Sequence, residues 1–335
     1  MSGKRVDTVR LQNLAMGFWQ SASLMSAIEL GLFTAVSKGA GTTAEIGAET
    51  GITERNADRL ATVCRAMDLL ETDDGGRYRN APDVERFLVE GEPGYAGPWM
   101  LFTKPRWEQF GNLTDFLRQP EEKILGQYEG LTVEAARKMH EATYSIGMGA
   151  ARRFVRQVDL SERQKIVDLG GGSGAYSITA AKAHPHIEAV VFDLPPVAEV
   201  AREYIAEHGV ADQVSAIGGD FTADDFPEGC DVAIMASNLP LYSREIIGQV
   251  IQRSFDALVP GGEMHLIGET LRDDRSGPIG PALWGLAEAI NGSTGMAHTE
   301  ADCIGYFEAA GFEDVTVHEF IAGTLSRIVG TKLGG

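Results

Sequence analysis

Residues Lys165 to Tyr176, KIVDLGGGSGAY, constrain the fold more than any other stretch. Ile166, Val167 and Leu169 form the short apolar run of a strand buried on both faces, and Asp168 sits near its end. Gly170, Gly171, Gly172 and Gly174 follow, and then a helix-like stretch from Ser177 to Ala183. Strand, glycine turn and helix, in that order, open a nucleotide-binding α/β unit. Glycines there let the backbone pass close to a ligand and take dihedrals that a Cβ forbids.

The next segments narrow the ligand. Ala189 to Asp193 (AVVFD) reads as a second strand ending in an acid, at about the distance where such folds place a ribose-binding carboxylate. Val214 to Ile217 is a third run, followed by Gly219, Asp220 and Phe221. An acid beside an aromatic ring there can bond an adenine amine and stack on its ring. Asp231 to Ala236 is a fourth buried strand, followed by Ser237 and Asn238. An NAD unit, or a glycine turn with no ligand, stands as the alternative. The NAD fingerprint is G-x-G-x-x-G, whereas here the chain leads from position 175 into Tyr176 and Ser177. The spacing D-x-G-x-G-x-G from Asp168 to Gly174, with acids at three successive strand ends, resembles the S-adenosylmethionine (SAM) pocket of class I methyltransferases. That resemblance implies SAM contacts at Asp168, Gly170, Gly172, Gly174, Asp193, Leu194, Gly219, Asp220, Phe221, Ser237 and Asn238.

A chain of 335 residues is comfortable for two domains, and 44% apolar residues can build a large core. The net charge of −19 opposes binding to phosphate backbones or anionic lipid. Cys64, Cys230 and Cys303 are far apart and show neither a metal-ligand spacing nor a disulfide framework, which suits a reducing cytoplasm. No metal site is expected. Lys4 and Arg5 are not followed by an apolar signal core, and no stretch reaches the ~20 apolar residues of a membrane span.

Residues 8–36 read as helices, with Leu11, Leu14, Ala15, Phe18, Trp19, Ala22 and Met25 recurring at three and four. The stripe is wider than one small domain needs, and burial against a second copy of the chain is the preferred reading. Thr42 to Leu70 is a helix–turn–helix: Thr43 caps a helix to Thr50, Gly51 ends it, and Thr53 caps the next. Glu71 to Asn80 is a hairpin, so the whole is a winged helix. Arg55, Arg59 and Arg65 permit a DNA-binding reading, but Glu54, Asp58, Asp73 and Asp74 oppose it; a dimerisation scaffold is the better expectation. Three parts are expected: a winged-helix dimerisation domain over 1–92, a helical linker and acceptor-site roof over 93–156, and a SAM-binding Rossmann-like domain over 157–335. The roof holds Tyr95, Trp99, Phe102, Trp107 and Phe110, then a helix from Val133 to Val155 carrying His140, Tyr144, Met148 and Arg152.

Further on come a helix from Arg244 to Leu258, the turn Pro260-Gly261-Gly262, and a strand from Met264 to Gly268. Asp273 to Pro281 reads as a loop, Ala282 to Ile290 as a helix with Trp284, and Glu300 to Gly311 as another. Val315 to Phe320 and Ser326 to Thr331 form a terminal hairpin that adds antiparallel strands to a parallel sheet. The whole chain resembles the small-molecule O-methyltransferase family. The matching pieces are ELGLF (Glu29 to Phe33), VDLGGGSG (Val167 to Gly174), FDLPPV (Phe192 to Val197), GGDF (Gly218 to Phe221), LVPGG (Leu258 to Gly262) and AAGF (Ala309 to Phe312). The resemblance implies an α/β class I methyltransferase domain with an N-terminal winged-helix domain, SAM as methyl donor, a small-molecule acceptor, and a homodimer through the N-terminal helices.

One departure bears on the acceptor. Most members carry a His-Asp-Trp-like signature after the fourth strand, and that histidine deprotonates the acceptor. Here Leu239-Pro240-Leu241-Tyr242 stands in its place, with the histidine position at Pro240 or Leu241. His140 and His298 are possible substitutes. A thioether sulfur has no proton to lose, so a missing base favours it; an acceptor such as 4-methylthio-2-hydroxybutyrate, on the route to dimethylsulfoniopropionate, is the expectation drawn from bacterial S-methylating relatives. An O-methyltransferase of phenols or polyketides is the alternative. For such acceptors Arg106 or Arg152 would bind a carboxylate, with Lys104 second, and Tyr95, Tyr144 or Tyr242 would bond a hydroxyl. Trp107 or Phe102 would face a sulfonium. Trp99, Met148 and Trp284 complete the expected lining, with Tyr144, Tyr242 and His140 as the catalytic positioning candidates.

Overall fold

The computed structural model describes residues 6–121 and 123–334; Lys4 and Arg5 lie outside them. The chain divides into two compact units, one to Pro105 and one from Arg106. The division therefore falls at neither of the boundaries expected at 92 and 156. Residues 93–105 belong to the first unit, and the long helix that follows belongs with the strands.

In the first unit, helices α1 (Val9–Ala15), α2 (Gly17–Glu29), α3 (Leu32–Ser37), α4 (Thr43–Thr50) and α5 (Glu54–Ala66) precede a hairpin of β1 (Leu70–Thr72) and β2 (Tyr78–Asn80). Helices α6 (Pro82–Phe87) and α7 (Gly97–Leu101) complete it. Phe33, Leu32, Ile46, Ala61, Cys64 and Leu70 fill its core. The cap of α4 is Thr42, not Thr43: its hydroxyl accepts from Glu45 N–H while the Glu45 carboxylate accepts from Thr42 N–H. Arg77 also meets Glu45 at 2.8 Å and, with the backbone donors of Gly41 and Thr42, holds that carboxyl at about 2. This ties the hairpin to the helix pair.

The second unit carries α8 (Trp107–Gly111), α9 (Leu113–Phe116) and α10 (Val133–Gln157), then β3 (Lys165–Leu169), α11 (Ala175–Ala183), β4 (Glu188–Asp193), α12 (Pro195–Glu207), β5 (Val214–Gly218) and β6 (Cys230–Ala236). After these come α13 (Arg244–Ala257), β7 (Leu258–Gly268), β8 (Thr270–Leu271), α14 (Ile279–Asn291), β9 (His298–Thr299), α15 (Glu300–Ala310), β10 (Glu313–Ile321) and β11 (Leu325–Thr331). The main sheet has the order β10-β11-β7-β6-β3-β4-β5. The five strands from β7 to β5 run parallel, and β11 pairs antiparallel with both β7 and β10. Strand order reverses between β3 and β6, and such a switch point opens a crevice outside the carboxyl ends of the strands.

Parallel strands buried on both faces need an apolar layer on each side. On one face Phe154 of α10, Ile178 of α11 and Ile205 of α12 pack with Ile166 and Ile234. On the other, Ile247 of α13 and Phe307 of α15 pack with Val167, Leu169 and Met235. The sequence reading missed some ends. Pro260, Gly261 and Gly262 lie within β7, and Leu258 begins that strand rather than ending α13. The expected loop to Pro281 gives way to α14 at Ile279, because a proline in the first helical turn gives up an N–H that would have no partner there.

Thr299 closes a capping box on α15: its hydroxyl accepts from Asp302 N–H at 3.0 Å, and Asp302 accepts from Thr299 N–H at 2.9 Å. Thr299→Ala is expected to cost about 1 kcal/mol of stability, read as a lower urea midpoint at unchanged slope. Among the described residues no helix is long and apolar enough to cross a membrane.

Candidate active site

The carboxyl ends of β3, β4, β5 and β6 bring the glycine turn and its acids together. Gly170 and Gly172 hold φ of +61° and +58°, which only glycine takes without strain. Close approach also demands them. A Cβ on Gly170 would lie 2.6 Å from Asn238 Nδ2 and 2.9 Å from the Phe221 ring, and one on Gly172 would lie 2.6 Å from His140 Cε1. The turn is thus a floor of bare backbone, with Asn238 and Phe221 on one side and the His140 ring over it.

Asp193 ends β4 and locks this floor. Its Oδ2 accepts from Gly172 N–H at 2.8 Å and its Oδ1 from Leu194 N–H at 2.7 Å. Burial pushes the carboxyl up to about 6 against the pull of those two donors. Asp168 is fully buried in β3. Its Oδ2 accepts from Ser177 Oγ at 2.9 Å, Oδ1 has no partner among the described residues, and burial pushes it too up to about 6. Asp220 follows Gly219; its Oδ1 accepts from the Thr222 N–H at 2.8 Å and the Thr222 hydroxyl at 2.7 Å. Phe221 stands edge-on to Tyr242 at 5.2 Å. Asn238 Nδ2 donates to the Gly170 carbonyl at 3.1 Å, so β6 is tied to the turn. Ser237 between them holds φ of +61°, an uncommon conformation for a residue with a Cβ and one that often marks a functional bend.

Other expected residues are placed less uniformly. His140 joins the turn; its ring makes no hydrogen bond among the described residues, and burial holds it down to about 4, neutral at pH 7. His298 is no substitute base: it is fully buried, Nε2 lies 3.0 Å from the Tyr242 carbonyl and Nδ1 2.9 Å from the Tyr306 hydroxyl. Tyr144 turns to α12, where it stacks on Tyr204 at 4.4 Å and its hydroxyl meets His208 Nε2 at 2.7 Å. Met148 packs into the core against α11, with Sδ 3.8 Å from Thr179 Oγ1. Arg152 is exposed. Trp107 and Trp284 are half-buried in the second unit. Tyr95, Trp99 and Phe102 belong to the first unit: Tyr95 folds over Gly97, and Trp99 stacks on Phe102 at 5.4 Å. Lys104, also there, is paired with Glu29.

Pro240 lies buried in the 3-10 turn Leu239–Leu241 that precedes Tyr242. Around this turn gathers a polar group that sequence reasoning caught only in part. Arg106 donates to Gln127. Tyr128 is pushed up to about 12 by burial, with Asp193 and Glu288 adding to the rise and Arg106 opposing it. Tyr242 is pushed well above the ordinary tyrosine range by burial, and then by Tyr128, Asp193, Asp220 and Glu288. Tyr128 and Glu288 were the residues missed. A signal existed for the second, since Glu288 is the lone charge in the stretch IGPALWGLAEAIN.

The O-methyltransferase domain family matches residues 127–313, and the O-methyltransferase dimerisation domain family matches residues 12–90. The chain belongs to the SAM-dependent O-methyltransferase family. It is 33% identical to the 3-hydroxy-5-methyl-1-naphthoate 3-O-methyltransferase of Streptomyces sahachiroi, over 96% of this chain and 94% of that one. It is 31% identical to the tetracenomycin polyketide 8-O-methyltransferase of Streptomyces glaucescens, over 90% of each. Human N-acetylserotonin methyltransferase, solved with SAM, shares the fold at a TM-score of 0.81 and 24% identity, covering 100% of each chain. This methyltransferase therefore has the class I fold with an N-terminal dimerisation-type domain, and SAM is its methyl donor. The site's chemistry fits that donor: a Cβ-free floor, a buried carboxyl with an unpartnered oxygen at Asp168, and an acid at the end of β4 with both oxygens oriented by backbone N–H groups.

Proposed function

We propose that this enzyme transfers the SAM methyl group to a hydroxyl of an aromatic small molecule of the polyketide or phenol type. The observation that carries the reading is the likeness over nearly the whole chain to a hydroxynaphthoate 3-O-methyltransferase and a tetracenomycin polyketide 8-O-methyltransferase. The thioether acceptor expected from the missing histidine gains no support from these relatives and is not carried forward.

In this reading Asp193 holds the ribose diol of SAM, Asp220 and Phe221 hold the adenine, and the Gly170–Gly174 backbone with Asp168 holds the amino-acid end. Leu194, Gly219, Ser237 and Asn238 shape the walls, and His140 closes the floor from α10. SAM brings a methyl carbon already activated on a sulfonium. The chain's own residues orient the acceptor, exclude water and receive its proton. Arg106, Trp107, Tyr242 and Trp284 are the acceptor-side groups of the second unit.

The first unit serves as a homodimer scaffold. Helix α1 buries none of its residues, and Leu11, Leu14, Phe18 and Trp19 are 55 to 67% exposed. An apolar face left bare in the single chain marks an interaction surface. The family match over this region supports the same reading.

Purified protein, labelled SAM and a panel of hydroxynaphthoates, N-acetylserotonin and methylthio acids test the acceptor. Methyl ethers are expected from the hydroxyl acceptors. Turnover of the methylthio acids alone would overturn the reading. The Asp193 assignment also sets a pH dependence. With its carboxyl pushed up to about 6, SAH (S-adenosylhomocysteine) affinity is expected to rise from about pH 5 and level off above about pH 7, because only the carboxylate accepts from both ribose hydroxyls. The sign for the ligand-free fold is opposite. A raised acid stabilises it below the ordinary aspartate value of 3.8, and that contribution is lost as pH rises through about 6. Calorimetric titrations across this range check the first, and Asp193→Asn should flatten it.

A further inference from the structure

Glu288 is 3% exposed on α14, and the structure treats its two oxygens differently. Oε2 accepts from Ser293 Oγ at 2.6 Å and from Asn291 Nδ2 at 3.0 Å. Among the described residues Oε1 accepts no hydrogen bond. Oε2 is thus engaged while Oε1 is left to accept from a further donor. The stem is fixed against the turn after β6. Gly295 fits between Glu288 and that turn so closely that a Cβ would lie 2.6 Å from Glu288 Cγ and from the Pro240 and Leu241 carbonyls. The Gly126–Tyr128 segment packs here, since a Cβ on Gly126 would lie 3.5 Å from Glu288 Oε2; the carboxylate's charge raises Tyr128 and Tyr242, and the Arg106 guanidinium opposes the carboxyl's own rise. Tyr242, which follows that turn, stands edge-on at 5.2 Å to Phe221, the residue after Asp220, and this puts the cluster beside the strand-end acids.

Neither His140 nor His298 is suited to take a proton. His298 has both ring nitrogens engaged. Burial holds His140 near 4, a weak base. Pro240 has no proton-accepting side chain.

We propose that Glu288 is the general base of this enzyme, taking the proton of the acceptor hydroxyl on Oε1; the proposal rests on the hydroxyl-acceptor reading above. The acceptor O–H proton passes to Oε1. A lone pair of the acceptor oxygen forms the new C–O bond as the methyl C–S bond of the sulfonium breaks, and the C–S bonding pair stays on sulfur, which becomes a neutral thioether. The protonated Glu288 then returns its proton to solvent. Ser293 and Asn291 hold Oε2 throughout, so the group does not swing. Burial raises the Glu288 carboxyl above its ordinary value, in the direction that makes a carboxylate a better base.

The test compares wild type with Glu288→Gln, which keeps size and one oxygen, on 3-hydroxy-1-naphthoate and its 4-nitro derivative, already ionised at the assay pH. With the first acceptor kcat/KM is expected to fall by ~10²–10⁴-fold and the acid limb of its pH profile to vanish. With the ionised acceptor the loss should be far smaller, and SAH affinity should be unchanged. A fall of less than roughly threefold with both acceptors, or an equal loss with both, would overturn the proposal. Wild-type protein that binds SAH but methylates no hydroxyl acceptor would remove the reading beneath it, and the proposal with it.

Discussion

Asp193→Ala is expected to weaken SAH binding by at least ~100-fold. The carboxylate is proposed to take two ribose hydroxyls, and hydrogen bonds to a charged group are each worth about 1.5–3 kcal/mol. Two of them amount to roughly two to four powers of ten in affinity. The substitution also strips Gly172 and Leu194 N–H of their acceptor, so the floor of the site loses its lock. The empty fold should tolerate the change, because the ionised carboxyl is itself disfavoured by burial. Calorimetry with SAH gives the affinity and a melting scan gives the control. A loss smaller than about fivefold with an intact fold would remove Asp193 from the donor site.

The second large effect is on stability. Phe154 of α10 is fully buried, with its ring 5.6 Å from Tyr176 of α11 and 5.2 Å from His265 of β7, both edge-on. It pins the helix that carries His140 to the sheet. Phe154→Ala should cost about 3–5 kcal/mol, since both the transfer of the ring and the cavity left behind count. Urea unfolding of the SAH-free protein reads the loss. Less than about 1 kcal/mol would mean that α10 repacks around the gap.

The gathering of the glycine turn and its acids at the strand ends was legible because its signals are local. Asp168, the glycines, Asp193 and Asp220 each stand at the end of an apolar run, and a strand end is where an α/β sheet places its ligand groups. What could not be read was the face each residue of α10 would show. Several apolar and polar residues recur at compatible spacings there, so periodicity alone could not send Tyr144 to α12, Met148 into the core and Arg152 to solvent. The cap of α4 illustrates a smaller miss. Two threonines adjoin, and Glu45, three residues after Thr42, was the sign that Thr42 closes the box. Glu288 stood out in sequence only as the lone charge of an apolar helix. Its meaning depends on Ser293, Asn291 and the turn at Pro240, which sequence distance hides and the fold brings together.

Pro240 stands where most relatives carry a histidine, and that absence by itself favours a proton-free acceptor. The structure offers a carboxylate at the same turn. The chemistry of a hydroxyl acceptor then needs no residue that the chain lacks.

The most direct measurement is the crystal structure of the protein with SAH. The ribose hydroxyls should lie on the Asp193 carboxylate, the adenine should lie at Asp220 and Phe221, and the amino-acid end should lie over Gly170 to Gly172 beneath His140. SAH bound away from these strand ends, with Asp193 still turned only to Gly172 and Leu194, would contradict the account.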